Sequence, residues 1–123
     1  MESKLQSNRR RTHPRYQARD RALAMVSSAP VGMPYHIIDI SKGGLAFRYL
    51  GEKMEGQQIT QLDLYYNDDL CIKNVPVTSV GDCWTGSDLT DIRRNCLAFT
   101  GLSSEQQEQL DLYIKQYTVS PIH

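Results

Sequence analysis

The fold is decided by residues 35–50, which read YHIIDISKGGLAFRYL. The first part, Tyr35–Ser41, is rich in β-branched residues, and the second part, Leu45–Leu50, alternates in side-chain type. Both patterns are typical of β-strands. The pair Gly43 and Gly44 between them is a turn signal. We therefore predict two strands separated by a turn.

Similar strand-like runs continue on both sides of this stretch, with turn signals between them. They cover Leu23–Ser27, Ile59–Tyr66, Leu70–Val80 and Cys96–Thr100. Because no helical pattern separates the runs, we expect an antiparallel sandwich or barrel. Pro76 inside one run predicts an edge strand or a bulge. Residues 11–20 are polar and contain Pro14, which predicts a loop, and residues 1–10 are expected to be mobile.

The hydrophobic pattern becomes helical near the end of the chain. Ser103 or Ser104 can cap a helix, and Gln106 or Gln107 follows three residues later as the second half of a capping box. One face of the helix then carries Gln106, Leu110, Tyr113, Ile114 and Tyr117. We predict one C-terminal helix over residues 103–117 that packs on the β-structure.

The 123 residues are enough for one domain, and their charge is unevenly distributed. Residues 1–21 contain seven basic and two acidic residues, a net charge of +5, whereas the rest of the chain has seven basic and twelve acidic residues, a net charge of −5. A basic arm on an acidic body suggests an anionic partner for the arm. The alternative is a solvated tail that folds back on its own acidic body.

The cysteines indicate a reducing compartment. Cys71, Cys83 and Cys96 are odd in number and contain no CxxC pair, so neither a structural zinc site nor a disulfide framework is indicated. The sequence has no run of eighteen apolar residues and no signal-peptide pattern. We expect a cytoplasmic protein without a membrane span.

The segment DISKGG, residues 39–44, places polar groups together. Side chains alternate along a strand, so Asp39 and Ser41 are expected on one exposed face, which Ile37 would share, while Ile38 and Ile40 face the core. A carboxylate accepts two hydrogen bonds, which matches the N1–H and N2–H₂ donors on the edge of guanine. The alternative is a strand that ends in a polar turn.

A second polar motif, Arg11-Thr-His-Pro-Arg15, precedes the strands. Each guanidinium can fork onto phosphate oxygens, pair with the O6/N7 edge of guanine or stack on a base. The alternative is a solvated basic tail. At the start of the last strand, Arg93 and Arg94 either add to the same site or lie at an exposed strand end.

Together, Arg11-x-x-x-Arg15 and Asp39-x-Ser41-x-x-Gly44 resemble the RxxxR and (D/N)xSxxG motifs of the PilZ domain family. The segment CLAFTGLSSEQQ, residues 96–107, is similar to the last strand and the start of the C-terminal helix of that family. The resemblance covers roughly residues 9–117. It implies a six-stranded antiparallel β-barrel with one C-terminal helix, and a receptor for the bacterial second messenger cyclic di-GMP.

The resemblance also implies roles for individual residues. Arg11 and Arg15 would hold the phosphates and the Hoogsteen edges of guanine, Asp39 and Ser41 would read the opposite edge, and Gly44 would leave room for the base. In the family, a basic residue at the position of Arg10 is associated with an intercalated ligand dimer. The predicted ligand-binding set is Arg10, Arg11, Arg15, Asp39, Ser41, Gly43 and Gly44, with no metal-binding or catalytic residue.

These expectations give a domain plan and a function. Residues 1–10 form a flexible basic tail and residues 11–123 a PilZ-like domain, with an arginine loop at 11–21, a barrel at 22–101 and the helix at 103–117. We expect an adaptor that binds cyclic di-GMP, rearranges its N-terminal loop and signals to an unidentified protein, without DNA or RNA. The alternative is a small barrel that binds single-stranded nucleic acid through its basic arm.

Overall fold

The computed structural model describes residues 13–26, 34–50, 59–84 and 92–122, which form eight strands and one helix. In chain order these are β1 (Arg15–Ala18), β2 (Ala22–Val26), β3 (Tyr35–Ile40), β4 (Gly44–Leu50), β5 (Gln61–Tyr66), β6 (Asp69–Trp84), β7 (Ile92–Phe99), α1 (Ser104–Tyr117) and β8 (Thr118–Ile122). The tail predicted at residues 1–10 lies outside the described residues.

Six of the strands close into a barrel. They follow the order β2-β5-β6-β7-β4-β3, and β2 pairs again with β3 to complete the ring. Each pairing is antiparallel. The predicted six-stranded antiparallel barrel with one C-terminal helix is confirmed, and the sandwich alternative is wrong. Strands β1 and β8 extend the sheet from β3.

The N-terminal strand corrects the prediction of an uninterrupted loop at residues 11–21. Arg15–Ala18 form β1, which pairs with β3 on one side and β8 on the other. The sequence RYQA has no alternation long enough to indicate a strand, and its pairing partners lie more than 20 and about 100 residues away in the chain. Strand β8 was not predicted for the same reason, since its partner is at the opposite end of the sequence.

A β-bulge corrects the predicted faces of β3. Ile37 pairs with Phe47, whereas Asp39 pairs with the adjacent residue Ala46, so Ile38 is an extra residue on β3. A bulge reverses the alternation of side chains at that point. Ile37 therefore faces the core rather than sharing the face of Asp39, and Ile38 is only half-buried. The predicted core position of Ile40 is confirmed.

The barrel interior is apolar, and Leu110, Tyr113 and Ile114 of α1 belong to the same hydrophobic core. Alternate residues of β4, namely Leu45, Phe47 and Tyr49, are buried in the core. Pro76 lies in β6, which pairs with β5 on one side and β7 on the other, so the prediction of an edge strand is wrong. The pairing of β6 with β5 shifts register just before Pro76, over residues 72–75.

The helix begins as one of the predicted capping boxes. Ser103 is the N-cap, its hydroxyl accepts a hydrogen bond from the Gln106 backbone, and the Gln106 side chain accepts one from the Ser103 backbone. Leu110, Tyr113 and Ile114 are buried on the predicted face. At 14 residues, this helix is too short and too polar to cross a membrane, and no other helix occurs in the described segments.

Tyr113 fixes the helix to the barrel through a buried hydroxyl. Its ring is almost fully buried, and its hydroxyl donates a hydrogen bond of 2.7 Å to the carbonyl oxygen of Tyr65 on β5. Burial raises the pKa of Tyr113 above its ordinary value. The native protein therefore retains this proton to a higher pH than the unfolded chain does, so the corresponding stability is intact below about pH 10 and declines as the pH rises further.

Replacing Tyr113→Phe is expected to lower the free energy of unfolding by about 1 kcal/mol at neutral pH, because the Tyr65 carbonyl loses its partner. The same variant should flatten the loss of stability above about pH 10. Urea denaturation at several pH values measures both effects. Tyr65→Phe, at a half-buried ring, controls for the loss of a hydroxyl, and an unchanged alkaline slope in Tyr113→Phe would contradict the assignment.

Candidate ligand-binding site

The carboxylate of Asp39 lies between two guanidinium groups. Arg15 donates from Nε to Oδ1 at 3.1 Å and from Nη2 to Oδ2 at 2.6 Å, which is a bidentate pair. Arg94 donates from Nη2 to the same Oδ2 at 2.9 Å. The Asp39 side chain is 4% exposed, while those of Arg15 and Arg94 are 24% and 22% exposed. The face of Asp39 was predicted to be exposed, but the two arginines cover the carboxylate.

Three strands bring these groups together on the outside of the barrel. Asp39 on β3 pairs with Gln17, so Arg15, two residues before Gln17 on β1, shares its face. On the other side Asp39 pairs with Ala46 of β4, which pairs with Cys96 of β7. Arg94 lies two residues before Cys96 and therefore extends over the same surface. The cluster joins residues that are 24 and 55 positions from Asp39 in the chain.

A further arginine, Arg48, adds positive charge beside this cluster. His36 pairs with Arg48, which pairs with Arg94, so the three side chains form a row across β3, β4 and β7 next to Asp39. His36 and Arg48 are exposed. With one acid and two neighbouring arginines, the cluster itself carries a net positive charge. This face suits an anion that also presents hydrogen-bond donors or acceptors.

Ser41 builds the turn between β3 and β4. Its Oγ accepts a hydrogen bond from the Gly43 backbone at 3.1 Å, and its own backbone N–H donates to the Gly44 carbonyl at 2.8 Å. The Oγ also lies 3.4 Å from that carbonyl oxygen. Ser41 and Asp39 were expected on an exposed face, but both are buried, and the contacts of Ser41 support the turn. A role for its hydroxyl in reading guanine stays a prediction.

The lack of a side chain at Gly44 serves strand packing. A Cβ at this position would collide with the carbonyl oxygen of Leu97 and lie 3.1 Å from the Cα of Ala98, both on β7. At Gly43 a Cβ would lie 3.2 Å from the ring of His13. Close approach of β4 to β7 therefore explains Gly44 without a ligand, and room for a base at Gly43 and Gly44 stays a prediction.

Two clefts lie beside this surface, next to α1. One has a volume of about 580 Å³ and the other about 490 Å³, and both are lined by His13, Lys42 and Asp111. Lys42 and Asp111 form an exposed ion pair at 3.7 Å. Neither cleft includes Arg15 or Asp39. The Arg15–Asp39–Arg94 cluster therefore lies outside both of these clefts.

The structure brings together only part of the predicted set. Arg15 contacts Asp39 directly, and Ser41, Gly43 and Gly44 form the turn that follows β3, while Arg10 and Arg11 lie outside the described residues. Of the two alternatives for Arg94, its contact with Asp39 favours a place in the site. The sequence offered no motif for this contact, and only the pairing of β4 with β7 identifies it. Among the described residues, no His, Cys, Asp and Glu side chains cluster as metal ligands do.

Solved structures of PilZ proteins share this fold. The PilZ domain of YcgR from Escherichia coli with c-di-GMP has a TM-score of 0.64 and 14% identity, covering 88% of this chain and 91% of that one. YcgR in complex with c-di-GMP has a TM-score of 0.63 and 19% identity, covering 86% and 45%. The Klebsiella pneumoniae MrkH–c-di-GMP complex has a TM-score of 0.65 and 15% identity, covering 85% and 53%.

These likenesses show that the chain has a PilZ-like fold. It spans about half the length of the YcgR and MrkH chains in their complexes and nearly all of the isolated YcgR domain. No family model matches the sequence, and the search of curated proteins found no relative.

The packing of Gly44 can be tested without a ligand. Gly44→Ala is expected to lower the free energy of unfolding by about 2 kcal/mol, because the added Cβ forces β4 away from Leu97. Gly81→Ala is the matched control, since a Cβ there meets nothing within 4 Å. Urea denaturation of the two variants should separate them, and equal stabilities would show that the close approach is not required.

Proposed function

We propose that this PilZ-like domain is a receptor for cyclic di-GMP, which binds on the barrel face around Asp39. The observation that carries the proposal is the Arg15–Asp39–Arg94 cluster, which places a carboxylate that can accept from guanine beside guanidinium groups, one of which, Arg15, could turn to a phosphate. The c-di-GMP complexes of YcgR and MrkH, which share the fold, support this choice of ligand.

Each part of the ligand has a complementary group on this surface. Cyclic di-GMP carries two phosphates and two guanines. Arg15, together with Arg11 and Arg10 of the N-terminal segment, would hold phosphate oxygens and the O6/N7 edge of guanine. Asp39 would accept from N1–H and N2–H₂ of the opposite edge. Ser41 adds a neighbouring hydroxyl, and the turn at Gly43 and Gly44 lets the base approach the backbone.

The proposed output is a change in a protein-binding surface. Strand β1 lies between β3 and β8, with Arg15 opposite Ile122 and Gln17 opposite Asp39. A ligand that draws residues 10–15 over the barrel therefore acts on the strand that also holds the end of α1 and β8. A downstream protein that recognises the α1–β8 side would detect the bound state. The protein would act in the cytoplasm as an adaptor, without a catalytic step of its own.

The alternative of general nucleic-acid binding predicts a different dependence of affinity on salt and on individual side chains. A basic arm that binds phosphates without recognising bases loses affinity steeply as the salt concentration rises. Removing any one of its nearby cationic side chains is then expected to weaken binding by a similar amount. The pairing of a carboxylate with two arginines argues against it, because an acid inside the basic face opposes backbone phosphate binding. Guanine recognition instead depends on that acid.

Arg15→Ala and Arg11→Ala are each expected to weaken the binding of cyclic di-GMP at least about tenfold, because each removes charge-assisted hydrogen bonds. Isothermal titration measures the affinity, and circular dichroism establishes that the fold persists. Arg19→Ala is the matched control: Arg19 is exposed and lies in the same basic segment. It should retain the affinity of the original protein.

Three outcomes would contradict the proposal. Unchanged affinity in both Arg11→Ala and Arg15→Ala would remove the site. An equal loss in Arg19→Ala, with binding of unrelated oligonucleotides that falls steeply with salt, would favour the nucleic-acid alternative. Retained affinity in Asp39→Ala would remove guanine readout.

The role of Arg10 predicts the number of ligands. If its guanidinium stacks on a second molecule, titration of the original protein should give a stoichiometry near two cyclic di-GMP per chain, and Arg10→Ala should reduce it to one. A stoichiometry near one before the substitution would reject the intercalated dimer and leave the receptor function in place.

A further inference from the structure

The carboxylate of Asp39 has few acceptor positions left. A carboxylate offers about four lone-pair positions over its two oxygens. Arg15 occupies one on Oδ1 and one on Oδ2, and Arg94 occupies the second on Oδ2. The edge of guanine needs two acceptors, one for N1–H and one for N2–H₂. Counting the contacts made by the residues that the structure describes, Arg15 and Arg94 leave one acceptor position, and the side chain is 4% exposed.

From this count, and on the basis of the proposed function, we infer that guanine and Arg15 exchange on Asp39 while Arg94 stays and positions the carboxylate. When Arg15 leaves, Oδ1 is free for the base and Oδ2 keeps its bond to Arg94. Three acceptor positions are then available to a base that uses two. The departure of Arg15 also uncovers the carboxylate.

The two arginines differ in how firmly their backbones are held. Arg94 lies inside β7, opposite Arg48 on one side and Cys83 on the other. Arg15 is the first residue of a four-residue strand and follows the exposed Pro14. The end of a short strand yields more easily than the interior of a sheet. Arg15 is therefore the group that exchanges, and Arg94 is the one that remains.

The departure of Arg15 from Asp39 frees two groups that the ligand needs, a guanidinium and a carboxylate. The guanidinium that leaves Asp39 becomes available to the phosphate or the O6/N7 edge of the incoming ligand. The carboxylate that it leaves becomes available to the opposite edge of a base. A ligand that supplies only an anion competes poorly, because it releases Arg15 without replacing the hydrogen bonds at Asp39.

The inference predicts that Arg94 controls base selectivity. The probes are cyclic di-GMP and cyclic di-IMP, which lacks the exocyclic N2 amine. By isothermal titration, the original protein is expected to bind cyclic di-GMP about tenfold or more tightly than cyclic di-IMP. Hypoxanthine, the base of cyclic di-IMP, cannot donate the N2 hydrogen bond to Asp39. Arg94→Gln should reduce this preference to about twofold or less, and Arg94→Lys, which keeps a charged donor, should restore part of it. Arg19→Gln is the control and should leave the preference unchanged.

The outcomes separate this inference from the receptor function. If the original protein does not bind cyclic di-GMP, both are overturned. If it binds and Arg94→Gln weakens both ligands by the same factor, Arg94 supports only the structure and this inference alone is overturned. If Arg94→Gln does not fold, the ratio of the affinities for cyclic di-GMP and cyclic di-IMP is measured with Arg94→Lys instead. An unchanged ratio in Arg94→Lys would also overturn this inference.

A direct observation of Arg15 tests the exchange itself. The Nε–H of Arg15, assigned with Arg15→Lys, should give an NMR signal that shifts when cyclic di-GMP is added, because its acceptor changes from Asp39 Oδ1 to the ligand. If the ligand binds while this signal stays in place, Arg15 does not leave Asp39 and the exchange is wrong.

Discussion

The structure depends on a buried carboxylate that needs cationic partners. Asp39 is nearly inaccessible to water, and an unpaired charge in such a place is strongly destabilising. In the described structure its partners come from the first strand and from the seventh, and they reach Asp39 because β1 lies beside β3 and β7 lies beside β4. One acid thus ties the N-terminal segment to the last strand of the barrel.

This requirement explains which parts of the fold the sequence predicts. Six barrel strands, the C-terminal helix and its capping box follow from local patterns, because alternation, turn residues and helical spacing lie within about ten neighbouring positions. Strand β1 has no such pattern. Its four residues form a strand because Asp39 and β8 provide partners from distant parts of the chain. The bulge at Ile38 likewise follows from the pairing of β3 with β4.

The motif residues at the turn illustrate why a binding role is harder to predict than a fold. Ser41 holds the turn through backbone contacts, and Gly44 allows β4 to approach Leu97. Both functions operate in the free protein. The sequence motif predicts binding roles for these positions, and the structure gives each a reason that requires no ligand. Arg94 is the opposite case: it has no motif, and the sheet register alone brings it to Asp39.

The energetic scale of the cluster is compatible with a receptor. Breaking the hydrogen bonds between Arg15 and Asp39 costs on the order of 1–3 kcal/mol, since both partners find new ones and Arg15 is already partly solvated. A ligand with micromolar affinity releases about 8 kcal/mol on binding. The exchange therefore takes a minor share of the binding free energy. That share is large enough to keep Asp39 covered by Arg15 in the free protein. It is also small enough for a ligand with both phosphate and guanine to overcome. The Arg15–Asp39 contact therefore stabilises the free fold and selects the ligand that can replace it.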